Sequence, residues 1–191
     1  ASRFDGKYFT NYSTENGLND NLVSKIISKN GFIWIATQHG ITRIKEKQVQ
    51  TYNLSELTEN NNITAIVIDS QFLWLGVKDK GVLQIKLTDN VPDLKDYTLH
   101  VPSEHLNIRS LFIDSKSKLW MASKGYLGYY LNNKWTTVKI PNSTNNISDI
   151  GEDSKSHIWI TTYNDGVYEY NLESFKNYNH LFGIDNDLVR S

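Results

Sequence analysis

The sequence has no cysteine among its 191 residues, and it has only three prolines and one methionine. A disulfide framework, a thiolate zinc site and a cysteine nucleophile are therefore excluded. The net charge is −1 and the four arginines are scattered, so no nucleic-acid partner is expected.

The sequence also lacks a long apolar segment. The longest apolar run, from Ile63 to Ile68, is interrupted by Thr64 and is far shorter than the roughly 20 residues of a membrane span. The start of the chain has no apolar core of a signal peptide. We therefore expect any membrane or targeting segment to lie outside this chain.

Familiar catalytic and cofactor motifs are absent as well. The five histidines form no i, i+4 pair, and no P-loop, dinucleotide fingerprint or Gly-x-Ser-x-Gly elbow occurs. These absences predict no metal, no cofactor and no catalytic residue in this segment, which we interpret as non-enzymatic.

One sequence pattern occurs four times along the chain: an apolar residue, a tryptophan, an apolar residue, small residues, a short polar turn and a new apolar strand. The separations between successive tryptophans of the pattern are 40, 46 and 39 residues. Repeats of this length, each with several short strands and no helical periodicity, predict an all-β protein of β-propeller repeats. The tryptophans are Trp34, Trp74, Trp120 and Trp159.

Each repeat contains four predicted strands, so we expect four consecutive four-stranded antiparallel blades. The predicted organisation of the single partial propeller is residues 1–16 for an outer strand of a preceding blade and a linker, 17–56 for blade 1, 57–102 for blade 2, 103–142 for blade 3, 143–180 for blade 4 and 181–191 for the start of a next blade. Residues Arg3 to Tyr12 are predicted as the end of a hairpin around Asp5-Gly6. In blade 2, Pro92 is assigned to an enlarged loop before a strand near Tyr97.

The repeated tryptophans and acids have a structural interpretation. A tryptophan at a fixed place on the second strand would fill the gap between blades, and the small residue two positions later would allow close blade approach. Asp69, Asp114 and Asp153 precede serine-containing turns and are expected to cap backbone N–H groups rather than bind metal. Gly125 and Gly128 predict a wider turn in the third repeat.

The repeats resemble a known family. Leu22 to Ile26, followed by Ile33 to Thr37 and Gly40-Ile41, resembles the two-component regulator propeller repeat. The segments Ile113 to Ser123 and Glu152 to Thr162 match its pattern of an aspartate, a three-residue turn, an apolar-Trp-apolar strand and a small-Thr pair.

This resemblance implies a periplasmic or otherwise extracytoplasmic sensor region of a hybrid histidine kinase anchored in the inner membrane, with the kinase region outside this segment. It also implies a small-molecule ligand, with an oligosaccharide from polysaccharide breakdown as the expected class. Two alternatives remain open: a propeller lyase or hydrolase, and a protein-interaction propeller. The enzyme would need a histidine and carboxylates at the central channel, where only His105 and Asp149 are candidates.

The candidate ligand-binding residues lie on one edge of the blades. The loop that enters the first strand and the turn between strands two and three share this edge, so both can gather around a ring entrance. Amide and aromatic side chains there suit a sugar. The candidates are Gln38, His39, Lys78, Asp79, Arg109, Lys124, Tyr126, Asn164 and Asp165, with the entry-loop residues Asn21, Asn62 and Asn146.

The two ends of the chain suggest a larger propeller. Arg3 to Tyr12 has the character of an outer strand, and Gly183 to Ser191 repeats the lead-in of Gly17 to Lys25. The expected array is an open arc with apolar faces on its first and last blades. Self-association, or contact with further blades of the same protein, is the corresponding expectation.

Overall fold

The computed structural model describes residues 1–60, 62–100, 107–141 and 147–183. The sequence candidates His105 and Asn146, and the repeated lead-in after Gly183, lie outside the described residues. Within the described part of the chain, no helix combines the length and apolar character that a membrane crossing requires.

The described chain forms four antiparallel four-stranded sheets, each a meander of consecutive strands, and the predicted four-blade propeller is confirmed. A separate hairpin precedes them. The strands are β1 (Ser2–Phe4) and β2 (Phe9–Asn11) in the hairpin; β3 (Val23–Lys29), β4 (Phe32–Thr37), β5 (Gly40–Lys45) and β6 (Gln48–Asn53) in blade 1; β7 (Ile63–Ile68), β8 (Phe72–Val77), β9 (Gly81–Thr88) and β10 (Val91–His100) in blade 2; β11 (Ser110–Ile113), β12 (Leu119–Ser123), β13 (Tyr126–Leu131) and β14 (Lys134–Lys139) in blade 3; and β15 (Ile147–Glu152), β16 (Ile158–Thr162), β17 (Val167–Tyr170) and β18 (Phe175–Tyr178) in blade 4.

Among the residues that the structure describes, helical structure is confined to three short segments. They are a four-residue α-helix, α1 (Ser55–Thr58), and two 3₁₀ turns at Thr14–Asn16 and His180–Phe182. The first strands of successive blades are neighbours, because β3 contacts β7, β7 contacts β11 and β11 contacts β15. These four strands therefore surround the central channel.

Three tryptophans fill the spaces between blades. Trp34, Trp74 and Trp120 are 1%, 4% and 1% exposed, and each belongs to an apolar cluster that includes residues of the following blade. Trp159 occupies the equivalent register but is only half-buried, and its ring stacks on Tyr178 at 5.4 Å. The predicted burial is thus confirmed for three of the four tryptophans. Trp159 remains half-buried because no described sheet packs on the outer face of blade 4.

The repeated aspartates cap the first turn of blades 2, 3 and 4, as predicted. In blade 3 one carboxylate oxygen of Asp114 accepts the backbone N–H groups of Lys116 and Lys118, at 2.9 and 2.8 Å. The other oxygen accepts the indole N–H of Trp120 at 2.8 Å. Asp69 and Asp153 make the same indole bond, to Trp74 and Trp159.

Two details differ from the sequence prediction. Strand β10 already begins at Val91, and the extra residues form an irregularity in the pairing between Pro92 and Tyr97 rather than a separate loop. The turn of the third repeat is narrower than expected, since Ser123 pairs with Tyr126 across only two residues. Gly125, with φ of 73°, supplies the left-handed conformation that a two-residue hairpin turn needs.

The close approach of blades is confirmed at Gly76. A β-carbon added there would lie 2.8 Å from the side chain of Ile108 at the start of blade 3 and 3.1 Å from Ala65. Such distances are shorter than van der Waals contact, so a larger residue would force blades 2 and 3 apart.

His100 lies in the interface between blades 2 and 3. Its ring is 5.6 Å from that of Trp74 and 4.9 Å from that of Tyr130, and its Nε2 is 2.8 Å from Oε1 of Gln84. Burial among these aromatic rings lowers the pKa of His100, because the charged imidazolium loses its hydration there.

We predict that Asp114→Ala lowers the free energy of unfolding by about 2–3 kcal/mol, since it removes two turn caps and leaves a buried indole N–H without an acceptor. Urea unfolding followed by tryptophan fluorescence measures the change. Glu173→Ala, which removes an exposed carboxylate, is the control. A loss below about 1 kcal/mol for Asp114→Ala would contradict the structural role of this carboxylate.

We also predict a pH dependence from His100. As the pH falls below the ordinary histidine pKa, His100 binds a proton in the unfolded chain but stays neutral in the folded chain, where its pKa is lowered. Folding therefore becomes less favourable as the pH falls from 7 to 5. The drop in unfolding free energy over this range should be smaller in His100→Gln than in the wild type. Equal drops in the two proteins, measured by urea unfolding at both pH values, would refute this contribution.

Candidate functional site

A cavity of about 690 Å³ lies at the mouth of the central channel. We call it the mouth cavity. It is formed by the loops that enter the first strands and by turns between strands two and three, which is the blade edge that the sequence predicts. The lining residues are Ala1, Asn21, Leu22, Val23, Ser24, Gln38, Asn62, Ile63, Thr64, Arg109, Ile147, Ser148 and Tyr163.

The polar side chains of the mouth cavity are partly fixed by one another. The amide of Gln38 donates to the amide oxygen of Asn62 at 2.7 Å, which joins blades 1 and 2. The side-chain oxygen of Asn21 accepts the backbone N–H of Thr14 at 3.0 Å. These amides keep further donors and acceptors for a ligand, because each primary amide can make up to four hydrogen bonds.

Arg109 and Tyr163 are both exposed, as are the lining residues Asn21, Leu22 and Ser24. Among the described lining residues Arg109 carries the only charged side chain, and its guanidinium makes no ion pair with a described residue. Tyr163, from blade 4, presents an aromatic ring that can stack on a flat apolar face. The mouth cavity therefore combines amide groups, one cation and one aromatic ring.

An ionic contact crosses the channel between the first strands of blades 1 and 4. Nζ of Lys25 lies 3.4 Å from Oδ2 of Asp149, and the hydroxyl of Ser110 donates to Oδ1 of Asp149 at 2.7 Å. Asp149 was a channel candidate from the sequence, and the structure places it there with a lysine and a serine. No histidine accompanies it among the described channel residues.

The structure gathers two of the nine candidate ligand residues, Gln38 and Arg109, in the mouth cavity, together with the entry-loop residues Asn21 and Asn62. The sequence reasoning did not single out Tyr163. Tyr163 lies in the same turn as the candidates Asn164 and Asp165, so considering every residue of that turn would have included it.

The other candidates lie elsewhere. His39 is 3.2 Å from Asp20, whose pKa is lowered first by the backbone N–H of Leu22 and then by His39. Asn164 and Asp165 line a separate cavity of about 420 Å³ with residues of blade 4. The remaining four lie outside the mouth cavity: Lys78, Asp79 and Lys124 are exposed turn residues, and Tyr126 is the half-buried first residue of β13. As ligand residues, all nine stay predictions.

The outer face of blade 4 holds the described group that most resembles a metal site. Ligand atoms of Asp153, His157 and Glu169 lie within 4.8 Å of one another, with Nδ1 of His157 at 2.6 Å from Glu169 and 3.7 Å from Asp153. Both carboxylates already accept hydrogen bonds, from the indole of Trp159 and the hydroxyl of Tyr178.

These hydrogen bonds are the largest cause of the lowered pKa of Asp153 and of Glu169, respectively. The three side chains are thus already in contact with one another and with two aromatic donors, so a cation would compete with these hydrogen bonds.

The fold is shared with known proteins at low sequence identity. The extracellular domain of BT3049 of B. thetaiotaomicron, assigned as a hybrid two component system, matches with a TM-score of 0.77 at 18% identity, over 96% of this chain and 26% of that chain. The extracellular domain of BT4673, a second such assignment in the same organism, matches with a TM-score of 0.62 at 20% identity, over 87% of this chain and 22% of that chain.

Catalytically inactive virginiamycin B lyase from Staphylococcus aureus with quinupristin also matches, with a TM-score of 0.77 at 15% identity, over 93% of this chain and 61% of that chain. No family model matches the sequence, and a search of curated proteins finds no match. The chain spans about a quarter of the length of the two extracellular domains. At these identities the likeness shows the propeller fold alone, which extracellular domains of two component systems and a lyase both have.

Proposed function

We propose that this chain is part of the extracytoplasmic ligand-sensing propeller of a bacterial two-component signalling protein and that it binds an oligosaccharide at the mouth cavity. The observation that carries the proposal is the convergence of loops from all four blades on one cavity that carries amide, guanidinium and aromatic side chains. The shared fold with extracellular domains of hybrid systems supports the setting.

The chemistry of the mouth cavity suits a sugar. Amides such as Gln38 and Asn62 pair with hydroxyl groups, which are both donors and acceptors. Tyr163 offers a ring for the apolar face of a pyranose, and Arg109 donates several N–H groups in a fixed plane. A ligand that contacts all four blades would favour one relative arrangement of the blades. Binding could therefore change the conformation of the propeller, which is what a sensor requires.

An enzymatic propeller is the second candidate, since a lyase shares the fold with the same TM-score as a sensor domain. General acid–base chemistry needs a histidine or carboxyl group within reach of the substrate. The described lining of the mouth cavity contains neither. A protein-interaction propeller is the third, and a protein ligand would cover the edge of the blades beyond the mouth cavity.

We predict that Arg109→Ala and Tyr163→Ala each weaken oligosaccharide binding about tenfold or more, because each removes a direct contact of roughly 1–3 kcal/mol. A glycan array identifies the ligand, and isothermal titration calorimetry measures the affinity. Lys116→Ala changes an exposed lysine in the turn between β11 and β12 of blade 3, outside the mouth cavity, and should leave the affinity unchanged.

If the wild type, Arg109→Ala and Tyr163→Ala bound the oligosaccharide with equal affinity, the binding site would not be the mouth cavity. Appearance of cleaved sugar during the titration, detected by mass spectrometry, would favour the enzyme. Absence of binding to any glycan would count against the oligosaccharide.

A further inference from the structure

Blade 1 differs from the other blades on the face that points away from blade 2. Ile26 on β3 is 48% exposed and Ile33 on β4 is 40% exposed. The strand pairing shows which residues occupy the same positions in blades 2, 3 and 4, and each of those residues is at most 7% exposed. The equivalents of Ile26 are Ile66, Leu111 and Ile150, and those of Ile33 are Leu73, Leu119 and Ile158.

A tryptophan of the preceding blade covers these equivalents. Ile66 and Leu73 share an apolar cluster with Trp34. The same arrangement joins the blade 3 pair with Trp74 and the blade 4 pair with Trp120. Three interfaces in this chain therefore show what the face of blade 1 is shaped to contact: a strand that carries a tryptophan.

The outer part of the same face is already covered. Ile35 and Ile44 are 2% and 6% exposed. Ala1, just before the hairpin β1–β2, and Tyr12, just after it, pack against this cluster. In the interface of blades 1 and 2, Tyr52 at the outer strand of blade 1 packs in the equivalent cluster. The hairpin thus occupies the place of two outer strands, and the uncovered part lies over β3 and β4.

A groove of about 450 Å³ separates β1 from the exposed isoleucines. Ala1, Ser2 and Arg3 form one wall, and Ile26 and Ile33 belong to the other. The groove is therefore bounded by the start of a strand on one side and by apolar side chains on the other.

Strand β1 has an open edge. It pairs only with β2 in the described part of the chain. Ala1 and Tyr12 exchange both backbone hydrogen bonds, at 2.9 and 2.7 Å. Because bonding direction alternates along an antiparallel strand, Ser2 and Phe4 direct their N–H and C=O groups to the other edge. An unpaired edge of this kind is a template for a further strand.

We propose that this groove binds an antiparallel β-hairpin of another polypeptide segment, in which one strand has the apolar-Trp-apolar pattern. That strand pairs with the open edge of β1, and its tryptophan covers Ile26 and Ile33. The result is a four-stranded blade, completed by strand addition. A complete four-stranded sheet does not fit the same place, because its outer strands would overlap the hairpin β1–β2.

The probe is a synthetic fluorescent peptide with the sequence of residues 147–162, which form such a strand pair in blade 4. We expect saturable binding to the chain by fluorescence anisotropy and slower amide hydrogen exchange at Ser2 and Phe4. Ile33→Asp in the chain should weaken binding at least tenfold, since it places a charge in the groove. A peptide with Trp159→Ala should bind at least tenfold more weakly to the unmodified chain.

Leu131→Asp is the matched control, because Leu131 is 48% exposed on blade 3, away from the groove. It should leave binding unchanged, and circular dichroism should show the same folded state for both variants. Absence of saturable binding, or equal binding by the wild type and Ile33→Asp, would overturn the proposal. A dimer in sedimentation that Ile33→Asp abolishes would also overturn it, because a complete blade of a second copy would then occupy this face.

Discussion

One carboxylate in each of blades 2, 3 and 4 fixes two things at once: the first turn and the orientation of the tryptophan. In blade 3 Asp114 holds two turn N–H groups and the indole of Trp120. The oriented ring then packs against the next blade, so the relative position of successive sheets depends on this contact. Since the channel mouth is built from loops of all four blades, its geometry depends on the same carboxylates.

Blade 1 reaches the same tryptophan position by different chemistry. Its first turn is Asn30-Gly31, with φ of 53° and 75°, and it has no aspartate to cap. Instead, the guanidinium of Arg43 lies 4.5 Å from the ring centre of Phe32 and 5.8 Å from that of Trp34. Arg43 is buried and donates to Gln50 and to the backbone carbonyl of Asn90 of blade 2. A cation over the ring thus links blades 1 and 2.

In this fold the residues that pack the blades together differ from those of the proposed ligand site. The blade interfaces are apolar and closely packed, as Gly76 shows by its contact with Ile108. The mouth cavity instead uses loop residues such as Arg109 and Tyr163, which are exposed and lie outside these interfaces. Substitutions of these two residues should not loosen the blades, because they remove no interblade packing.

The sequence by itself determined the blades, the tryptophan register and the capping role of Asp114, because strand alternation and turn chemistry are local properties of the chain. It could not determine which turn residues meet. Arg109 lines the mouth cavity and Lys124 does not, since turn length and blade orientation decide where each side chain lies. Likewise Ile26 and Ile66 occupy the same repeat position, yet one is exposed and the other buried. Only the tertiary structure decides this, because burial depends on the sheet that packs against the residue.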